Sequence, residues 1–84
     1  MIKYIAEDAM PERTDWEAKA RGLLRAEMAK QGLTYAQLVE RLKAVGVIED
    51  ERNLRNKVSR GKFTAAFLLQ CLSATGTHTL HLDG

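Results

Sequence analysis

Between positions 52 and 62 the chain carries five bases and no acid: Arg52, Arg55, Lys57, Arg60 and Lys62, with Asn53 and Asn56 set among them. Arginine and asparagine have the geometry to read base edges. An arginine can donate two hydrogen bonds to guanine, and an asparagine can both donate to and accept from adenine. A cluster of one sign also attracts polyanions such as a phosphate backbone. The same residues would equally suit a solvated helix face, so the pattern acquires meaning only from the elements that hold it.

The remaining reactive side chains do not converge. His78 and His81 are three apart, with Cys71 and Asp83 near in sequence. Zinc needs three or four ligands pointing at one spot, and two histidines three apart on an extended tail point to opposite faces. Cys71 would need a neighbouring base and a lowered pKa to act as a nucleophile. It stands among Phe67, Leu68 and Leu72, which makes it a buried core thiol. Consecutive residues on a helix diverge by about 100°, so Glu49, Asp50 and Glu51 do not form an acid pair or a metal site. Gly61 and Gly76 are isolated, and nothing reads as a phosphate-binding loop. The expectation is a protein that is not an enzyme, with no cofactor, no metal and no small-molecule substrate.

Four helices would position the basic cluster. Thr14-Asp15-Trp16-Glu17 has the form of a capping box, and Trp16, Ala20, Leu23, Leu24 and Met28 then recur at helical spacing, with Trp16 read as core. Gly32 supplies a left-handed stop, which puts the first helix at 15–31. Thr34-Tyr35-Ala36-Gln37 is a second capping box, followed by the stripe Tyr35, Leu38, Val39 and Leu42, and by Gly46 as a stop. Glu49, Asp50 and Glu51 open the third helix, where carboxylates oppose the positive end of the helix dipole. Leu54 and Val58 face inward on it, Arg52, Asn56 and Arg60 fall opposite, Asn53 and Ser59 flank them, and Arg55 and Lys57 lie at the margins. Gly61 ends this helix, Thr64 caps the next, and residues 65–75 are apolar almost all round before Gly76. The segments Ile2–Ile5 and Thr77–Leu82 alternate weakly and read as possible short terminal strands.

Length and charge agree with one small domain. Eighty-four residues bury a thin core, so association of subunits would add stability. Residues 1–17 hold five acids and two bases, whereas residues 18–62 hold eleven bases and five acids, a local +6 within a net charge of +2. A single cysteine excludes an internal disulfide. No apolar run approaches the roughly 20 residues of a membrane span, and the start is too short for a signal peptide, so a cytoplasmic location is expected.

The run Gly32-Leu33-Thr34-Tyr35-Ala36-Gln37-Leu38-Val39-Glu40-Arg41-Leu42 resembles the second helix of phage-repressor-type (lambda-repressor-like) helix-turn-helix domains. Asn53-Leu54-Arg55-Asn56-Lys57-Val58-Ser59-Arg60-Gly61-Lys62 resembles their recognition helix and the turn after it, and Thr64 to Gly76 their next helix. The stretch from Gly32 to Lys62 is also similar to a family of small bacterial proteins of unassigned function with that expected fold. The resemblance implies that Arg52, Asn53 and Asn56 face bases. It implies that Thr34 and Tyr35 sit near one phosphate, and that Arg60, Gly61, Lys62 and Thr64 hold the neighbouring one, with Arg55 and Lys57 also contacting phosphates. Two departures bear on this. Leu42 and Leu54 are twelve residues apart, more than the repressor pattern has, and three acids open the helix that would enter the groove.

The expected architecture is therefore an all-α, compact bundle of four or five helices, with a helix-turn-helix at 34–61. Residues 1–13 would be an arm or strand, 14–76 the domain and 77–84 a tail. The expected function is sequence-specific binding of double-stranded DNA by a homodimeric transcriptional regulator. The alternative is a protein-interaction adaptor that keeps the fold without the DNA.

Overall fold

The computed structural model describes residues 15–82, and these form an all-helical bundle. The helices are α1 (Asp15–Gln31), α2 (Tyr35–Ala44), α3 (Glu51–Arg60) and α4 (Ala65–Ala74). The Thr14 cap, the arm at 1–13 with its proposed strand at Ile2–Ile5, and Asp83 lie outside the described residues.

Local chemistry accounts for most of the boundaries. At α2 the Thr34 hydroxyl accepts from the Gln37 N–H (3.1 Å) while the Gln37 side chain accepts from the Thr34 N–H (2.8 Å), a complete capping box. Asp50 caps α3 by accepting from the Asn53 N–H at 2.8 Å, and the Thr64 hydroxyl caps α4 by accepting from the Phe67 N–H at 3.0 Å. Gly32 takes a φ of +66° after α1, which lets the Leu33 N–H turn back to the Met28 carbonyl.

The helices pack α1 on α3 and α4, and α2 on α3 and α4. Leu24 of α1, Leu38 and Leu42 of α2, Leu54 and Val58 of α3 and Cys71 of α4 are completely buried where they meet. Met28, Phe67, Leu72 and Ala74 extend that core, and Leu33, Tyr35, Val39, Val47, Phe63, Leu68 and Leu80 pack around it half-buried. Each fully buried leucine contributes about 1.5–3 kcal/mol of transfer free energy. That burial, rather than helix propensity, holds ten-residue helices that would be marginal alone.

Two expectations are corrected. Trp16, read as core, is 78% exposed. The C-terminal segment 77–82, read as a possible strand, forms none; it is irregular and returns along α4, with the Thr77 N–H on the Leu72 carbonyl. A strand needs a partner edge, and none of the described residues offers one.

What fastens this tail is a buried carboxylate. Glu27 of α1 is 5% exposed; it accepts from the Thr77 hydroxyl (3.0 Å) and pairs with Lys30 (2.9 Å). Thr77 in turn shares a hydrogen bond with Thr75, whose hydroxyl donates to the Leu72 carbonyl when it is not the donor to Thr77. The Lys30 ammonium and the Thr77 hydroxyl hold the Glu27 carboxyl below its ordinary pKa. A depressed folded-state pKa gives stability that is present above the unfolded value and is lost as pH falls through the folded one. Wild-type protein is therefore expected to melt higher than Glu27→Gln at neutral pH, and the gap is expected to close on acidification below about pH 4.5. Thermal melts of both proteins at several pH values check this; a gap that stays constant down to strong acid would contradict it.

Candidate nucleic-acid interface

The basic helix α3 is held by one face and open on the other. Leu54 and Val58, four residues apart, are fully buried against the other helices. Arg52, Asn56 and Arg60, also four apart, are exposed on the outward side. Among the described residues, none of these three, nor Lys62 beyond them, makes a hydrogen bond or ion pair with another side chain. The outward stripe thus carries two guanidiniums and a carboxamide whose donors and acceptors face solvent.

The other sequence-designated residues are already engaged to different degrees. Asn53 donates one side-chain N–H to Asp50 (3.1 Å), which leaves a second N–H and the carbonyl oxygen of an exposed side chain. Arg55 pairs with Glu51 (2.8 Å) and lies over the Tyr35 ring at 5.1 Å. Lys57 pairs with Glu49 and sits 4.8 Å from the Phe67 ring, which turns its charge toward α4 and the segment before α3 rather than along the outward stripe. Glu49 itself precedes α3 and its side chain is largely buried, so of the three acids only Asp50 and Glu51 serve the helix end. Thr34 and Thr64 are exposed, and their hydroxyl oxygens accept the capping N–H groups.

Gly61 occupies a different position from the one its resemblance implies. It is buried, its N–H donates to the Lys57 and Val58 carbonyls, and its Cα packs against the backbone of Glu17 at the start of α1. Its N–H is therefore committed to ending α3, while Arg60 before it and Lys62 after it are exposed.

Sequence reasoning missed two arginines of α1. Arg25 donates to the Tyr35 hydroxyl (Nε, 3.3 Å) and to the Ser59 hydroxyl (Nη2, 3.1 Å), and Arg21 donates to the Ser59 carbonyl at 3.5 Å. They join α1 to the side of α3 that carries Arg55 and Ser59. Their spacing of four, beside the apolar Leu24 and Met28, was the signal available in the sequence.

Cys71 is buried, and burial, with the nearby Glu49 charge, pushes its thiol up to about 12. His78 and His81 are exposed. No three His, Cys, Asp or Glu side chains among the described residues cluster as metal ligands. No helix among them is long and apolar enough to cross a membrane.

The chain belongs to the family described as Domain of unknown function (DUF6471), whose sequence model matches residues 16–80, from the first turn of α1 into the segment beyond α4. No curated protein and no solved structure matches it.

Proposed function

We propose that this member of that family binds double-stranded DNA as a helix-turn-helix regulator, with α3 in the major groove. One observation carries the reading: a capped helix is clamped through Leu54 and Val58 while Arg52, Asn56 and Arg60 stand exposed opposite, without a side-chain partner among the described residues. Arg52, Asn53 and Asn56 face base edges in this reading. Thr34, Tyr35, Arg55, Arg60, Lys62 and Thr64 meet phosphates on either side, and Lys57 does so only after leaving Glu49. Two copies act together, because a single short helix reaches few bases and repressor-type modules pair across half-sites. Leu69, 65% exposed on the otherwise apolar α4, is consistent with a self-association surface.

Fluorescence anisotropy with mixed-sequence duplex DNA at several salt concentrations tests this. Three to five phosphate contacts per subunit give a log–log slope of about −3 to −5 per subunit. Arg60→Ala and Lys62→Ala are each expected to make the slope shallower by about one. Titration at saturating concentration is expected to end at two chains per site. An end point at one chain would remove the dimer from the proposal, and no binding at low salt would remove the DNA.

A second reading has its own observation. Val45 and Ile48, in the connection between α2 and α3, are 51% and 77% exposed. Apolar side chains next to the acids that open α3 suit a protein partner better than a phosphate backbone. A protein-interaction adaptor is the function left standing if duplex DNA does not bind.

A further inference from the structure

Where α1 passes α3, the structure gathers more positive charge than the sequence of α3 contains. An open groove of about 480 Å³ lies between α1 and the N-terminal ends of α2 and α3, lined by Arg25, Met28, Leu33, Tyr35, Glu51 and Arg55. Arg25 enters it from α1 and Arg55 from α3, and both are organised by Tyr35: Arg25 donates to its hydroxyl and Arg55 covers its ring. Arg21 stands one turn before Arg25 and donates to the Ser59 carbonyl. Three guanidiniums thus meet around Tyr35 and Ser59, and the one acid among the described residues that lines the groove, Glu51, is bound to Arg55. Among the described residues no carboxylate lies within ion-pair distance of Arg21 or Arg25, whose partners are neutral oxygens.

That arrangement leaves donors available to an anion. A guanidinium carries five N–H donors, and the hydroxyls of Tyr35 and Ser59 use two of those on Arg25. The remaining donors sit on a fork already oriented by two hydrogen bonds, so less side-chain entropy is lost when a second pair of oxygens arrives. Phosphate oxygens match this geometry bidentately. Glu51 and Arg55, which line the groove, immediately precede Arg52 and Asn56, so the groove adjoins the outward stripe of α3.

We propose that Arg25, held by Tyr35 and Ser59 and supported by Arg21, is a phosphodiester-binding residue supplied by α1, a site separate from the turn after α3. The proposal rests on the DNA reading for the source of the phosphate. It differs from the bland role of Arg25, a tie between helices, in requiring that the guanidinium meet the ligand directly.

The test measures duplex binding across salt for wild type, Arg25→Gln and Lys19→Gln, the last being the same charge change on an exposed position of α1. Arg25→Gln is expected to weaken binding about tenfold and to make the slope shallower by about one, with Lys19→Gln at wild-type values. A wild-type slope in Arg25→Gln, or an equal change in Lys19→Gln, overturns the site while leaving DNA binding in place. If thermal melts show that Arg25→Gln does not fold, Arg25→Lys replaces it. It keeps the charge and the slope but loses the fork, so a several-fold weaker affinity is expected and wild-type affinity overturns the proposal. If wild type binds no duplex, the DNA reading fails independently. Inorganic phosphate titrated against labelled protein then decides: saturable shifts at the Ser59 and Tyr35 amides, absent in Arg25→Gln, retain an anion site for free phosphate, and unchanged spectra remove it.

Discussion

Replacing Gly61 with alanine is expected to destabilise the domain by about 2–4 kcal/mol, lowering its melting temperature by roughly 10–30 °C. Two effects add. Gly61 sits at a φ of +70°, where a side chain costs about 1 kcal/mol. An added Cβ would also stand inside contact distance of the Glu17 carbonyl oxygen and 2.8 Å from its carbonyl carbon. Backbone cannot swing aside as a flexible side chain does, so α1 and the end of α3 would have to separate, at about 1–3 kcal/mol for overpacking. Gly32→Ala isolates the first effect. Gly32 has a φ of +66° with nothing near its missing Cβ, so only about 1 kcal/mol is expected there. Urea denaturation of both variants checks the pair. Equal losses would mean that the approach of Glu17 to Gly61 does not constrain the fold. The experiment also bears on function, since this contact sets where α1, and so Arg21 and Arg25, lies along α3.

The second large effect concerns recognition. Arg52→Ala combined with Asn56→Ala is expected to weaken binding at a selected DNA site by about 2–6 kcal/mol, from two base contacts of about 1–3 kcal/mol each. Binding to unrelated duplex and the salt slope are expected to stay nearly unchanged, because base contacts carry sequence information and phosphate contacts carry salt dependence. Stability is expected to shift by no more than about 0.5 kcal/mol, since both side chains are exposed and neither is bonded to another side chain among the described residues. Site selection followed by anisotropy on selected and scrambled duplexes makes the comparison. A uniform loss on both, with a shallower slope, would reassign Arg52 to the backbone. Full retention on both would take α3 out of the groove.

Much of the frame was written locally. Thr34 and Gln37 satisfy each other's backbone donors within one turn, Asp50 and Thr64 each accept one backbone N–H at the starts of α3 and α4, and Gly32 and Gly61 take positive φ where helices end. Such features involve residues three or four apart, so spacing reveals them. The inward placement of Leu38, Leu42, Leu54 and Val58 followed from helical period for the same reason. Each exposed member of the outward stripe follows once Leu54 and Val58 are assigned inward.

What the period could not say is how far a neighbouring helix reaches. Trp16 has the spacing of a core residue, yet α3 ends beside Glu17, and a ten-residue helix is about 15 Å long against about 25 Å for the seventeen residues of α1. No stripe pattern contains that length mismatch. Nothing within a turn of Glu27 marks it for burial; the returning tail places Thr77, fifty positions later, against it. Arg21 and Arg25 drew no reading from the sequence, because packing sets them on Ser59, 38 and 34 residues away. Lys57 counted as one more base of the cluster until Glu49 and Phe67 engaged it. The sequence by itself determined the helices, their ends and the outward composition of α3, because those depend on neighbours within a turn or two. Only the tertiary structure decided which charges remain available and which helices contribute them, because a charge is neutralised by whatever lies within a few ångströms in space, however distant in the chain.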